Sequence, residues 1–192
     1  MRKVRTAVLI SGRGSNMVAL ARAAQEKTFP AEISLVVSNN PEALGLQKAA
    51  DLGIQVYAMD HKSFKSRVDF DLALHAILQE NNIELICCAG FMRILSPEFV
   101  HKWPDRILNI HPSLLPKYKG LNTHRRALEA NDKVHGCTVH YVNQELDGGD
   151  VILRREIPIS PNDTEDSLAN KVLELEHPLY IKALKKVANS IE

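Results

Sequence analysis

The sequence has little that would place it in a specialised structural class. Its 192 residues include 9 glycines and 9 prolines, too few and too scattered for a low-complexity or linker-rich chain. The formal net charge is +1, so no strong positive field favours nucleic acid or an anionic membrane. No apolar run approaches the length of a membrane span, and the one near the N-terminus stops at Ile10, too short for a signal-peptide core. These absences predict a cytoplasmic protein without a nucleic-acid or membrane partner.

Cysteine and histidine are also poorly arranged for disulfides or metals. The three cysteines are an odd number, and Cys87 and Cys88 are adjacent inside an apolar run. No C-x-x-C pair indicates zinc. His135 and His140 have opposite parity in a predicted strand, so they are expected to face opposite sides of the sheet and not to share a metal. We predict buried, structural cysteines and histidines and no metal site.

What is present indicates an ordinary globular domain. Hydrophobic residues make up 45% of the chain and charged residues 24%, values typical of a packed single domain of this length. No repeat period and no linker divides the sequence, so we expect one domain over residues 1–192.

Short apolar runs alternate with longer amphipathic segments. Continuous apolar strands separated by helices predict a parallel sheet that is covered on both faces. In the last third, 135–142 and 150–159 alternate in polarity and predict an antiparallel pair, followed by a helix from about Asp163 to Ala188. The other predicted strands are 5–10, 32–38, 54–59, 83–90 and 106–110, and the other predicted helices are 17–27, 42–53 and 64–82.

The segment SGRGSN (11–16) follows the first strand and opens the first helix, with Asn16 as the expected N-cap. Its glycines allow a sharp turn that exposes N–H groups, and the helix dipole adds positive character. A dinucleotide fingerprint needs glycine at position 17, where Met17 stands, and no Gly-Lys-Ser/Thr follows to make a P-loop. The segment predicts a cradle for a monophosphate, with an ordinary strand-to-helix turn as the alternative.

Asn109 and His111 lie two apart at the end of a predicted strand, so their side chains share one face. Functional sites in α/β sheets form at the carboxyl ends of strands. An amide donor beside a titratable imidazole suits an oxyanion that develops at an acyl carbon. The alternative is a capping asparagine and a structural histidine before Pro112.

The segment LDGGD (146–150) is the third candidate. Two glycines predict a loop whose backbone comes close to a neighbouring group, and an aspartate beside an imidazole orients the ring and favours its charged form. Spacing alone does not say which aspartate does so, and a polar hairpin turn is the alternative. No G-x-S-x-G elbow supports serine hydrolase chemistry. Arg125 and Arg126 are expected on the solvated face of a short helix.

Taken together, these segments resemble the phosphoribosylglycinamide formyltransferases, a family of folate-dependent enzymes. The resemblance runs from Val4 to about Leu184 and rests on SGRGSN, AGFMRILS, LNIHPSLLPKYKGLNTHRRAL, HGCTVH and ELDGGDVI, in the family's order and spacing. It implies an α/β fold with a Rossmann-like, mostly parallel sheet, helices on both faces and an antiparallel pair near the C-terminal end. It also implies transfer of the formyl group of 10-formyltetrahydrofolate to the amine of 5′-phosphoribosylglycinamide in de novo purine (IMP) biosynthesis.

The resemblance further implies the site residues. The N-terminal part is expected to bind the ribonucleotide and its phosphate, and the C-terminal part the folate. The formyl group would pass directly between the two small-molecule substrates, without a metal, in a monomer or homodimer. The implied residues are Asn109, His111 and Asp147 for catalysis; Gly14, Ser15 and Asn16 for the phosphate; Glu176 for the amine end; and Arg67, Met92, Arg93, Ile94, Leu95, Asn143, Gln144, Glu145 and Leu146, together with Asn109 and Asp147, for the folate.

Three other functions are weighed against this one. A formyltetrahydrofolate hydrolase would share the catalytic trio but carry an N-terminal regulatory domain, whereas the first strand here is expected within a few residues of Met1. An enzyme that formylates initiator methionyl-tRNA would need a C-terminal domain and a basic surface. A non-catalytic nucleotide-binding module would leave the pair Asn109 and His111 without a purpose.

Overall fold

The computed structural model describes residues 2–191, in which seven strands form one sheet. The strands are β1 (Val4–Ile10), β2 (Ala31–Ser38), β3 (Gln55–Ala58), β4 (Leu85–Cys88), β5 (Ile107–His111), β6 (Val134–Tyr141) and β7 (Val151–Pro158). The helices are α1 (Ser15–Ala24), α2 (Leu44–Asp51), α3 (Arg67–Glu80), α4 (Pro97–His101), α5 (Thr123–Glu129) and α6 (Glu165–Ala188), and a 3₁₀ turn spans His61–Ser63.

The strand order is β3-β2-β1-β4-β5-β6-β7. The five strands from β3 to β5 are parallel, whereas β6 runs antiparallel to both β5 and β7. The mostly parallel sheet with an antiparallel C-terminal end is therefore confirmed. The chain adds β2 and β3 on one side of β1 and then β4 and β5 on the other, so the strand order reverses between β1 and β4. Ligands of such sheets bind beyond the carboxyl ends of the strands at this point.

Helices cover both faces of the sheet, as predicted. Helices α1, α2 and α6 pack on one face, and α3 and α4 on the other. Val8 and Ile10 of β1 belong to the first core and Ala7 and Leu9 to the second, because successive side chains of a strand point to opposite faces. Burial on both faces explains why the central strands read as continuous apolar runs.

The first residues of three helices differ from the predictions, and in each case the capping residue accounts for the difference. Helix α1 begins at Ser15 with Gly14 as N-cap at φ 70°, so the prediction that Asn16 caps it is wrong. Helix α3 begins only at Arg67, because the Ser66 hydroxyl accepts from the backbone N–H of Asp69. Helix α4, which was not predicted, is started by Ser96, whose hydroxyl accepts from the N–H of Phe99.

Helix α6 brings polar side chains to the strand ends. Thr164 caps it in a reciprocal pair with Ser167, within the predicted start region. The Tyr180 hydroxyl contacts the carbonyl oxygens of Cys88 at 3.0 Å and Leu108 at 3.1 Å, which ties the helix to β4 and β5. Glu176 lies one turn earlier on the same face of α6 and is therefore carried to the same region.

The buried cysteines are as predicted. All three are reduced and buried, and burial raises the pKa of Cys87 and of Cys137 to about 12. Between residues 2 and 191, no helix combines the length and apolarity needed to cross a membrane, and no three metal-ligating side chains form a group that could hold an ion.

Candidate active site

Four polar side chains meet at the end of β5. Asn109 and His111 share the face of Ile107 in the second core, as strand parity predicts. The antiparallel register places His140 of β6 opposite Asn109, with 3.2 Å between Asn109 Nδ2 and His140 Nε2. Asp147 lies between the two imidazoles: Oδ2 is 3.5 Å from His111 Nδ1, and Oδ1 is 3.7 Å from His140 Nε2. The structure therefore brings together the three residues that were predicted to be catalytic, with the His140 side chain beside them.

The loop after β6 holds Asp147 in place. Its backbone has φ 50°, and its Oδ2 accepts a hydrogen bond from the Gly120 N–H at 2.9 Å. A Cβ on Gly149 would lie 1.8 Å from the carbonyl oxygen of Tyr141, so only glycine fits there. The close backbone approach predicted for this loop is confirmed, and it keeps Asp147 against the end of the sheet.

Both ring nitrogens of His111 face oxygen atoms. Nε2 donates to the backbone carbonyl of Tyr118 at 2.8 Å, and Nδ1 faces the Asp147 carboxylate. His111 is only 6% exposed, so these oxygens are its principal polar surroundings. Each ring nitrogen of His111 therefore has an oxygen acceptor beside it.

The loop that supplies the Tyr118 carbonyl is braced by Arg126. The guanidinium donates to the carbonyl oxygens of Lys119 at 2.7 Å and Leu121 at 3.3 Å, and it lies 5.1 Å from the centre of the Tyr118 ring. The Tyr118 hydroxyl donates to Asp132 at 2.8 Å. Arg125 is exposed, as predicted, whereas Arg126 is half-buried and its guanidinium is hydrogen-bonded to this loop.

His140 was predicted to be structural, but it lies in the site. Its ring is buried, and Nδ1 donates to the carbonyl oxygen of Tyr141 at 2.8 Å. Burial lowers its pKa, although the nearby Asp147 carboxylate acts in the opposite direction. His140 faces away from His135, as predicted, and His135 instead contacts His124 at 3.1 Å. The sequence signal for His140 was its place in an alternating strand, which does not identify its cross-strand neighbour.

The segment SGRGSN forms a turn that fits an anion. Gly14 is buried in a left-handed conformation, and across the described chain no side chain caps the N–H groups of the first turn of α1. Free N–H groups at a helix N-terminus bind phosphate readily. A Cβ on Gly14 would lie 2.9 Å from the Cα of Gly45, whose own N–H donates to the Gly12 carbonyl at 2.9 Å. Gly45 was missed because a glycine early in a helix carries little signal.

Glu176 contacts this turn. Its Oε2 accepts from the Asn16 side-chain amide at 2.7 Å, and both side chains are buried. Burial raises the pKa of Glu176, and the hydrogen bond from Asn16 acts against that shift. The oxygen of the same Asn16 amide, Oδ1, is buried without a partner in the range 2–191. The structure thus joins the predicted phosphate and amine-end residues directly.

The predicted folate segment 92–95 is held at both ends. The N–H of Met92 donates to the Ser11 hydroxyl at 2.7 Å, and the N–H of Ser96 donates to the Asp71 carboxylate at 2.6 Å. The Ser11 hydroxyl in turn donates to Asn39. Of the segment's apolar residues, Met92 and Ile94 are largely exposed and Leu95 is buried, while the Arg93 guanidinium lies 4.6 Å from the Phe70 ring. Ser11 therefore links the phosphate turn to the folate segment, a role that the sequence did not indicate.

The other predicted folate residues lie at the surface. The guanidinium of Arg67, at the start of α3, has no partner within the described residues. Residues 143–146 are exposed, and Glu145 pairs with Lys119 at 2.6 Å. A cavity of about 540 Å³ is lined by Tyr118, Leu115 and Arg154 among others, and none of the predicted site residues lines it.

Comparisons with known proteins agree with this site. A family profile described as formyl transferase matches residues 4–184. The trifunctional purine biosynthetic protein adenosine-3 of Gallus gallus is 50% identical over 187 residues, which cover 97% of this chain and 19% of that protein. Phosphoribosylglycinamide formyltransferase of Haemophilus influenzae is 42% identical over 185 residues, which cover 96% of this chain and 86% of that protein. The chain thus spans about a fifth of the length of the trifunctional relative.

A solved structure gives the same result. The crystal structure of phosphoribosylglycinamide formyltransferase from Brucella melitensis aligns with a TM-score of 0.94 and 46% sequence identity. The alignment covers 100% of this chain and 98% of that one.

Proposed function

The chain belongs to the formyl transferase family, and on that premise we propose that it transfers the formyl group of 10-formyltetrahydrofolate to the amine of 5′-phosphoribosylglycinamide. The products would be formylglycinamide ribonucleotide and tetrahydrofolate, in de novo purine biosynthesis. The observation that carries the proposal is the convergence of Asn109, His111 and Asp147 at the strand ends, close to a helix N-terminus that fits a phosphate.

The two ends of the ribonucleotide fit two parts of one sheet edge. Gly14, Ser15 and Asn16 would hold its phosphate at the end of β1. Because one strand, β4, separates β1 from β5, these two strands are roughly 10 Å apart, and both the phosphate turn and Asn109 lie at the carboxyl-end edge of the sheet. Glu176 would accept the amine end from its position beside Asn16. Phosphate binding then positions the amine for attack on the formyl carbon.

The formyl carbon becomes tetrahedral when the amine attacks, and its oxygen becomes negative. The amide N–H of Asn109 and an N–H of His111 would donate to this oxygen, and comparable donors lower barriers by about 3–4 kcal/mol. Asp147 would stabilise the charged imidazole and assist the movement of a proton from the attacking amine to the folate nitrogen. The bond from that nitrogen to the formyl carbon then breaks, and no covalent enzyme intermediate is needed.

In this structure the N–H of His111 Nε2 is already hydrogen-bonded to the Tyr118 carbonyl. For that nitrogen to reach the formyl oxygen, the substrate must take the place of the carbonyl, and the loop at residues 118–121 must shift. The Asp147 contact to the other ring nitrogen can persist during this exchange.

The folate would lie over the segment that follows β4. Backbone groups of Arg93 and Leu95 would recognise the edge of the pterin ring, and apolar neighbours such as Phe91 and Ile94 would shape the slot that holds it. Arg67 and residues Asn143, Gln144, Glu145 and Leu146 would contact the rest of the molecule. A cytoplasmic location, direct transfer without metal and a monomeric or homodimeric state remain predictions.

One assay separates the alternatives. The conversion of 10-formyltetrahydrofolate to tetrahydrofolate is followed by absorbance with and without 5′-phosphoribosylglycinamide. Conversion that depends on the ribonucleotide supports the transferase. Conversion without it, with release of formate, would indicate the hydrolase. No conversion in either case would overturn the proposal and leave the binding module or the enzyme that formylates initiator methionyl-tRNA.

A further inference from the structure

We propose that His140 is a positioning residue that fixes the orientation of the Asn109 side-chain amide, so that an N–H rather than a carbonyl oxygen faces the reacting formyl group. This inference rests on the proposed function for its catalytic consequence. Its structural part rests on the contacts of the His140 ring alone.

The two nitrogens of the His140 ring have different partners. Nδ1 lies 2.8 Å from the backbone carbonyl oxygen of Tyr141, which can only accept, so the proton of the neutral ring is on Nδ1. Nε2 then carries a lone pair and can only accept. Its neighbour at 3.2 Å is Asn109 Nδ2, which donates. The ring is 2% exposed, so water does not compete for this contact.

This arrangement determines which way the Asn109 amide points. In the reverse orientation, the amide oxygen would face the Nε2 lone pair, and two acceptors would be buried against each other without a proton between them. One N–H of Nδ2 is therefore held by His140, and the second N–H of the same nitrogen remains for the substrate. An oxyanion site needs donors that are already oriented before the charge develops.

The neutral state of His140 is supported by its surroundings. Burial lowers the pKa of the ring, and this effect exceeds the opposing attraction of Asp147, whose Oδ1 lies 3.7 Å from Nε2. The same carboxylate is 3.5 Å from His111 Nδ1. Of the two imidazoles beside Asp147, His140 is thus assigned the accepting role and His111 the donating role.

Two variants separate positioning from packing. His140→Leu introduces an apolar side chain of similar size and removes the acceptor. The kcat is expected to fall about tenfold with little change in either KM, as for the loss of one orienting hydrogen bond. His140→Gln offers an amide oxygen to Asn109 and is expected to restore most of kcat. Val139→Ala, on the same strand but in the opposite core, is the control for general damage to β6 and should leave kcat within about twofold.

A double-mutant cycle tests the link to Asn109. In an Asn109→Ala background the amide is gone, so His140→Leu is expected to lower kcat less than twofold further. If His140→Leu costs as much in that background as in the native protein, or if His140→Gln is as damaged as His140→Leu while both stay folded, the proposal is overturned.

The tautomer can be read in the unmodified protein. Long-range ¹H–¹⁵N spectra are expected to show His140 protonated at Nδ1 and unprotonated at Nε2 at neutral pH. The opposite tautomer, or a doubly protonated ring, would overturn the proposal even if the leucine variant failed to fold. The spectra need no substrate, so this result is independent of the assay for formyl transfer, whose failure would instead count against the proposed function.

Discussion

The backbone carbonyl of Tyr118 accepts a hydrogen bond from His111 Nε2 at 2.8 Å. This contact joins the loop after β5 to the imidazole that the proposed reaction needs. A second link runs from the Gly120 N–H to Asp147, so the loop contacts both His111 and Asp147. The strength with which the loop is held therefore bears on how easily His111 reaches a substrate.

Arg126 and its neighbour Arg125 form a matched pair for testing this loop. Arg126→Ala removes two hydrogen bonds to loop carbonyls, one half-buried and one exposed, and the Gly120 amide is expected to exchange with deuterium at least about tenfold faster. Arg125→Ala removes only an exposed pair with Glu165 and should leave this exchange unchanged. Equal exchange in the two variants would show that Arg126 does not hold the loop.

Removal of either oxyanion donor should affect turnover much more than binding. Asn109→Ala and His111→Ala are each expected to lower kcat about 10²–10³-fold, with KM values changed only a few-fold, because the donors act on charge that exists only in the transition state. Ile110→Val, between them but in the other core, is the control for strand packing. Near-normal turnover in Asn109→Ala would contradict the proposed mechanism.

Asp147→Asn tests the carboxylate with little change of shape. The amide oxygen can still accept from the Gly120 N–H, so the free energy of unfolding should change by less than about 1 kcal/mol at neutral pH. The negative charge beside His111 is lost, so kcat is expected to fall about 10²-fold and the pH dependence of kcat to change. A lower kcat with an unaltered pH profile would mean that another group controls the proton on His111.

The residues predicted correctly depend on short-range geometry. Asn109 and His111 share a face because strand parity is local, and Gly149 marks a tight approach because two adjacent glycines are rarely needed otherwise. The order of buried strands and amphipathic helices likewise predicts the layered sheet.

The residues that were missed depend on pairing between distant segments. His140 meets Asn109 only because β6 pairs antiparallel with β5 in one particular register, and a shift of one residue would turn it away. The Tyr118 contact uses a backbone carbonyl, which no side-chain motif records. Asn16 was assigned as a cap because asparagine favours that position, but the buried carboxylate of Glu176 provides a partner 160 residues away.

Two glycines of the phosphate turn are expected to differ in how much stability is lost when each is replaced by alanine. At Gly14, alanine would have to adopt φ 70° and place its Cβ 2.9 Å from the Cα of Gly45, so Gly14→Ala is expected to lower the free energy of unfolding by about 1–3 kcal/mol and to raise KM for the ribonucleotide. A Cβ on Gly12 meets nothing within 4 Å, so Gly12→Ala should change stability by less than about 0.5 kcal/mol. Urea denaturation of the two variants measures the difference, and equal losses would mean that the turn is not packed against α2.

The buried Glu176 predicts a pH-dependent difference in stability. Burial raises its pKa above the ordinary carboxyl value of 4.5, so the folded state holds this proton more tightly than the unfolded state does. The contribution of the protonated Glu176 side chain to the free energy of unfolding is fully present below pH 4.5. It is lost as the pH rises through the raised pKa. Glu176→Gln cannot ionise but can still accept from Asn16. Its free energy of unfolding, relative to the native protein, should therefore increase with pH by about 1.4 kcal/mol for each unit by which the pKa is raised.

Urea titrations of both proteins between pH 4 and pH 8 measure this difference, with Glu174→Gln as the control because Glu174 is exposed on the same helix. The Glu174 variant should follow the native protein at every pH. In the transfer assay, Glu176→Gln is expected to raise KM for the ribonucleotide, since an amide does not neutralise the charge of an ammonium group. If the free energies of unfolding of the native and Glu176→Gln proteins change with pH in the same way, burial does not raise the free-energy cost of ionising Glu176. A raised KM alone would then leave recognition of the amine as the one role of Glu176.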